Sequence, residues 1–166
     1  MFRKVEDFQK AWRYEAEMTG KVLGTLTDAS LGQKVTPDGR TLGFLGWHLT
    51  LTLGEMLGHV GLKIDAPEQD AECPSSAAEI AAAYEKAAKS VADEINANWN
   101  DETLLQEDNM YGETWSRGLT LFYFIAHQAH HRGQMTVLMR QAGLPVPGVY
   151  GPSKEEWAAF GAPAMP

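Results

Sequence analysis

Apolar residues recur every three or four positions along four stretches of the chain, and polar or turn-forming segments separate them. Phe8, Trp12, Met18, Val22 and Leu26 mark the first stretch, a helix expected from about Val5 to Leu26. The segment "SLGQKVTPDGR" ends it, with strong turn chemistry at Pro37-Asp38-Gly39. The second stretch, Thr41 to Leu62, keeps Phe44, Leu45, Leu51 and Leu62 apolar. Its glycines weaken helix propensity but let neighbouring backbones come close. Strand competes as a reading of "LTLTL"; the length of the segment and its lack of flanking turns favour helix. The third helix opens on a capping box, Ser76 to Glu79, in which the two side chains satisfy free backbone N–H groups. Ile80, Tyr84, Ala87, Val91 and Ile95 then form an apolar stripe down to about Asn98. The fourth helix spans about Thr114 to Gln141 and stops at Gly143, with Pro145 beyond.

The tail "GLPVPGVYGPSKEEWAAFG" reads as a strap rich in Pro and Gly. It leads to a short C-terminal helix that starts at a second capping box, Ser153 to Glu156. Four helices of about 20 residues with no convincing strand predict an all-α four-helix bundle, one domain over residues 1–166. The polar connections from Lys63 to Pro74 and from about Trp99 to Trp115 are long enough to cross the bundle, so helix order need not be up-down-up-down.

Composition narrows the function. The net charge is −8, from 14 basic and 22 acidic residues. That balance disfavours nucleic acid as a partner, because phosphate binding draws on clustered Lys and Arg. No apolar run reaches the roughly 18 residues that a membrane span needs. The start, "MFRKVEDFQKAW", lacks the apolar core of a signal peptide, so a cytoplasmic protein is expected. Cys73 is the one cysteine, which excludes an intramolecular disulfide and a cysteine-based zinc site. Its setting, "AECPSS", reads as a loop.

Three of the five histidines fall in "FIAHQAHHRGQ". Residues four apart on a helix differ by about 40° in angle and about 6 Å along the axis. His127 and His131 therefore share one face, with Phe124, Gln134 or Met135, and Leu138 continuing it. Two imidazoles at that spacing can chelate one ion. His130 lies off both and is expected near solvent or an interface. Inward histidines can equally be core residues satisfied by hydrogen bonds, and the pair alone leaves that choice open. His48, among Phe44, Leu45, Leu51 and Thr52, would need a buried partner as a lone polar group. If the second helix packs beside the fourth, His48 supplies a third nitrogen, giving a three-histidine site with positions left for water. His59 is about 16 Å further along the helix, too far to bind the same ion. Glu55 and Gln134 are candidates to hold the imidazole tautomers, although a solvated surface role is equally open for Glu55.

The stretch "HQAHHRGQMTVLMRQAGLPVPGVYG" resembles the C-terminal signature of the DinB/YfiT-like metalloenzyme family. Its core is His-x-x-x-His-Arg-Gly-Gln, here His127, His131, Arg132, Gly133 and Gln134. The histidine of the second helix in that family matches His48 in "GWHL". The resemblance implies a bundle with up-down-down-up connection, a divalent ion (zinc or nickel) on the three histidines, and a homodimer. It also implies kinship with thiol transferases that use small thiols such as bacillithiol, and with a mycothiol-dependent maleylpyruvate isomerase. Arg132 would cap the helix face or pair with a carboxylate of the protein or of a substrate. Gly133 would let a neighbouring helix approach, and Tyr150 would reach the site or a dimer partner.

Two functions follow. One is a metal-dependent transferase or isomerase, a thiol S-transferase for instance, that acts on a small molecule with a low-molecular-weight thiol. The other is a non-catalytic bundle in which the ion, or plain histidine packing, braces the fold.

Overall fold

In the computed structural model, which describes residues 1–163, the four helices form where the apolar spacing puts them. They are α1 (Val5–Gly24), α2 (Leu42–Gly58), α3 (Ala77–Asn98) and α4 (Arg117–Gln141). Each of α2, α3 and α4 starts at a hydroxyl cap: Thr41, Ser76 and Ser116 accept from the N–H groups of Phe44, Glu79 and Leu119. α4 ends in a Schellman arrangement, with Gly143 at φ 73°, Gly143 N–H bonded to Arg140 O and Leu144 N–H to Met139 O.

The connection order is up-down-down-up. Gln9 and Trp12 on α1 donate to the carbonyls of Ala92 and Ala88 on α3, so these helices run antiparallel. Phe2 N–H bonds to Gly118 O, while further along Arg132 reaches Glu15 and Thr19, so α1 and α4 run parallel. Gly46 faces Met135 while His48 faces His127, which makes α2 and α4 antiparallel. α2 and α3 are consequently parallel neighbours, and residues 59–76 must return along the bundle. They run back over α2: Ala66 lies against Gly54, Trp47 Nε1 donates to Ala71 O at 2.8 Å, and Cys73 Sγ lies 3.5 Å from Gly43 O.

Two expectations change. The α3–α4 connection is not strand-free: Glu107–Met110 (β1) and Glu113–Ser116 (β2) pair antiparallel around Tyr111 and Gly112. Thr114 and Trp115 thus belong to β2, and α4 starts at Arg117. The run is too polar to alternate in hydrophobicity, so periodicity hides the hairpin. The tail does carry its short helix, a 3-10 helix over Trp157–Phe160, but it begins later than Ser153. Only half of the second capping box exists. Glu156 accepts from Ser153 N–H at 3.1 Å, and Ser153 Oγ is buried without a partner.

The core gathers on the inner faces of all four helices, with Phe8, Trp12, Leu49, Leu53, Ile80, Tyr84 and Phe124 fully buried. Gly46 sits where the helices meet. A Cβ there would stand 3.0 Å from Leu23, 3.4 Å from Ile80 and 3.7 Å from Met135. Gly133, by contrast, is exposed with nothing within 4 Å of a would-be Cβ, so no described helix of this chain packs on it.

Among the described residues, one ion pair is buried in this frame. Arg132, 2 % exposed, donates to Glu15 Oε2 at 2.5 Å, to Glu15 O at 3.1 Å and to Thr19 Oγ1 at 2.9 Å. Tyr150, reaching in from the C-terminal strap, accepts from Arg132 at 2.7 Å and bonds the Glu15 carboxylate at 2.9 Å. All of the guanidinium's bonds go to α1 and the strap. Removing one partner strands a buried charge, at a cost of about 3–5 kcal/mol. Arg132→Met should therefore lower the melting temperature by roughly 10 °C, at about 2–4 °C per kcal/mol for this length. The double variant Glu15→Met/Arg132→Met should recover much of that loss in calorimetry.

Candidate metal centre

Three imidazoles from two helices converge. His48 Nε2 lies 3.2 Å from His127 Nε2, and His131 Nε2 lies 3.1 Å from the same atom. All three donor nitrogens fall within 4.8 Å of one another. Zinc–nitrogen bonds of about 2.0–2.1 Å put two donors about 3.3 Å apart at the tetrahedral angle and about 2.9 Å apart at a right angle. Both spacings at His127 lie between these values, so His127 and each of its two neighbours already stand at a separation that a shared ion would impose.

Proton accounting reaches the same point. Gln134 Oε1 can only accept, so the 2.7 Å contact makes His131 Nδ1 the proton carrier and leaves a lone pair on its Nε2. The Gln134 amide nitrogen donates in turn to His130 Nε2 at 3.1 Å. At most one proton can then serve both close contacts at His127 Nε2 without a clash. His127 Nδ1 is buried with no partner of its own. A cation at the centre would satisfy all three lone pairs at once.

The rings are held neutral, the form that ligates. Burial, then His131, His48 and His130, holds His127 down at about 4. Burial, then His131 and Arg40, lowers His48 below its ordinary value. Burial lowers His131 as well, against the bond from Gln134, which raises it. Among the described residues no carboxylate or thiolate joins the cluster, so an ion there would keep its full charge.

The helix contacts set this geometry. Gln128, one residue after His127 and fully buried, donates to Leu49 O of α2 at 3.3 Å and accepts from Tyr84 of α3 at 3.2 Å. It bridges three helices beside the ligand nitrogens. Its polarity within the inward stripe was the available signal, and the histidines on either side obscured it.

The other candidates are placed as follows. Gln134 is exposed and bonds His131, as above. Glu55 bonds none of the three clustered imidazoles: its carboxylate accepts from Tyr111 OH at 2.9 and 3.1 Å and faces His59 Nε2 at 3.1 Å. Arg132 and Tyr150 belong to the buried pair with Glu15 and do not touch the cluster. His130 is exposed, and Cys73 is a free, exposed cysteine. Arg40, which no motif marks, lies over the Phe44 ring at 5.0 Å, and that ring stacks on His48 at 5.9 Å.

A groove of about 730 Å³ opens beside the histidines between α2, α4 and the hairpin. That falls within the roughly 300–1,000 Å³ of small-molecule sites. Its walls are mostly apolar or aromatic, including Phe44, Leu51, Met56, Trp115 and Tyr123.

Comparison with known proteins agrees with this architecture. The sequence matches the DinB family over residues 1–165. It is 46% identical over 167 residues to the uncharacterized protein YrdA of Bacillus subtilis (strain 168), with 99% of this chain and 100% of that protein covered. A crystal structure of a DinB-like protein from Bacillus cereus ATCC 10987 superposes with a TM-score of 0.87 at 41% identity, covering 90% of this chain and 100% of that one. A second DinB-like protein, YjoA from Bacillus subtilis, has a TM-score of 0.65 at 13% identity over 82% of this chain and 92% of its own, a likeness of fold alone.

The lowered imidazole values fix the sign of a pH effect. An unfolded histidine takes up its proton near pH 6.5, whereas the folded cluster refuses it until lower pH, about 4 for His127. The unfolded chain therefore binds more protons across that window, and stability falls as pH falls through it. Metal-free protein should melt progressively lower from pH 6.5 towards pH 4, and His127→Asn should flatten that dependence.

Proposed function

The chain belongs to the DinB family, and on that footing we propose that it binds a divalent ion through His48, His127 and His131 and uses it in a transferase or isomerase reaction. The observation that carries this reading is the convergence of the three Nε2 atoms beside the groove. Three neutral donors leave an ion unneutralised and with free positions. Zinc or nickel suits imidazole ligands. When bound, such an ion would act as a Lewis acid and lower the pKa of a thiol or water that reached it.

The chain's own residues divide the remaining work. Gln134 keeps the proton of His131 on Nδ1, which aims the Nε2 lone pair into the cluster. The apolar walls take the body of a small organic substrate and keep water from it. Tyr111 stays a phenol, because burial and then the Glu55 carboxylate raise it above its ordinary value.

A thiol cosubstrate fits the groove's chemistry. Among the described lining residues there is neither cysteine nor lysine, and the Thr52 hydroxyl donates to Leu49 O at 3.2 Å. A low-molecular-weight thiol is a nucleophile that a three-imidazole ion would activate at neutral pH.

Protein purified without a histidine tag should carry close to one zinc or nickel ion per chain by mass spectrometry of the elements. His48→Ala, His127→Ala and His131→Ala should each lose it, and Gln134→Ala should weaken binding by about 10–100-fold. Assays of several small thiols with electrophilic substrates should give turnover that disappears with the ion while the fold survives. If chelation instead lowers the melting temperature sharply and no thiol–electrophile pair turns over, the ion braces the bundle and the enzymatic reading is lost.

A further inference from the structure

The groove has two chemically distinct ends, and the function argued so far uses one. At the other end stands Glu55, seven residues after His48 on α2 and so about 10 Å further along the helix axis. Glu55 is the one side chain with a fixed charge among the described residues lining the groove. Its carboxylate is held from two sides, by Tyr111 OH at 2.9 Å and by His59 Nε2 at 3.1 Å. A carboxylate offers about four acceptor positions, so capacity remains for a further donor.

Aromatic rings line the groove together with Glu55. The rings of Tyr111 and Trp115 lie 5.9 Å apart, and those of Trp115 and Tyr123 lie 4.7 Å apart. The hairpin delivers the first of them at a conformational cost. Tyr111 and Gly112, with φ 56° and 90°, form a two-residue turn of the primed type, which favours Asn or Gly at its first position. Tyrosine stands there in a left-handed conformation, and its ring and hydroxyl face the groove and Glu55.

The bonds that Glu55 already makes decide what it can do. Its carboxylate holds to Tyr111 and His59 and to no ring of the cluster, from which seven residues of helix separate it. An anion in a groove lined by aromatic rings is the chemistry that recognises an organic cation.

We propose that the Glu55 end of the groove is a subsite for a ligand ammonium group. The molecule that reaches the histidines then carries a primary amine about 10 Å away. This deepens the metal-and-thiol reading and rests on it only for the identity of the opposite end.

Isothermal titration of zinc-loaded protein tests the subsite with 6-amino-1-hexanethiol, whose extended chain is close to the required length, against neutral 6-mercapto-1-hexanol. Hexylammonium titrated into metal-free protein probes the amine end alone. The aminothiol should bind at least tenfold more tightly than the hydroxythiol, and Glu55→Gln should abolish the difference while keeping zinc and melting temperature. Tyr111→Leu, at the exposed hairpin tip and off the helices, should reduce the difference roughly threefold. Equal binding of the two thiols overturns the subsite and leaves the thiol reading standing. An amine advantage that survives both variants overturns it as well. If neither thiol binds but hexylammonium binds wild type at least tenfold more tightly than Glu55→Gln, the subsite stands and the thiol reading falls.

Discussion

Three imidazoles can share an ion only if α2 seats closely against α4, and two contacts fix that seating. Gly46 leaves room for Leu23, Ile80 and Met135 to meet over α2. Three residues on, the Leu49 carbonyl takes a bond from the buried Gln128 amide. Between these contacts lies His48, and opposite it lie His127 and His131. The 3.2 Å between the ring nitrogens of His48 and His127 tolerates little slack between the two helices. The site is therefore a property of helix packing more than of any local motif, and the packing is dense because interiors leave few voids.

Much of this could be read from residues alone, and the reason is periodicity. The i, i+4 spacing of His127 and His131 needs only helix geometry, and an isolated imidazole at His48 in an apolar run asks for a partner. Helix termini were legible within a few residues because Thr, Ser and Gly caps punctuate them. Pairings between distant segments were not. Nothing near Arg132 announces that its carboxylate is Glu15, 117 residues away. Gly133 looked like a packing glycine and faces solvent. The hairpin escaped notice because "EDNMYGETWS" is polar and its tip carries tyrosine where Asn-Gly would have signalled a turn. Glu55 was visible as a neighbour of His48, but its true partner, Tyr111, lies on that unseen hairpin.

The C-terminal strap and the hairpin play complementary parts around the bundle. The strap closes over the α1–α4 seam, where Tyr150 completes the buried pair of Arg132 and Glu15 and Tyr14 donates to the Val149 carbonyl. The hairpin closes one end of the α2–α4 groove instead, and Arg117 at the start of α4 fastens it through Asp108 at 2.8 Å. One segment completes the scaffold and the other shapes the cavity, so substitutions in the two should be judged by different measures.

The return of residues 59–76 along α2 has a kinetic side. A bundle of antiparallel hairpins can assemble from neighbours in sequence, but here parallel α2 and α3 are joined by a full-length crossover. The two histidines that face each other across α2 and α4 are 79 residues apart in the chain. High contact order slows folding, because distant segments must close large loops before any contact rewards them. The histidine cluster thus exists only where two segments far apart in the chain have docked, so a bound ion would bridge the loop that the crossover and α3 close.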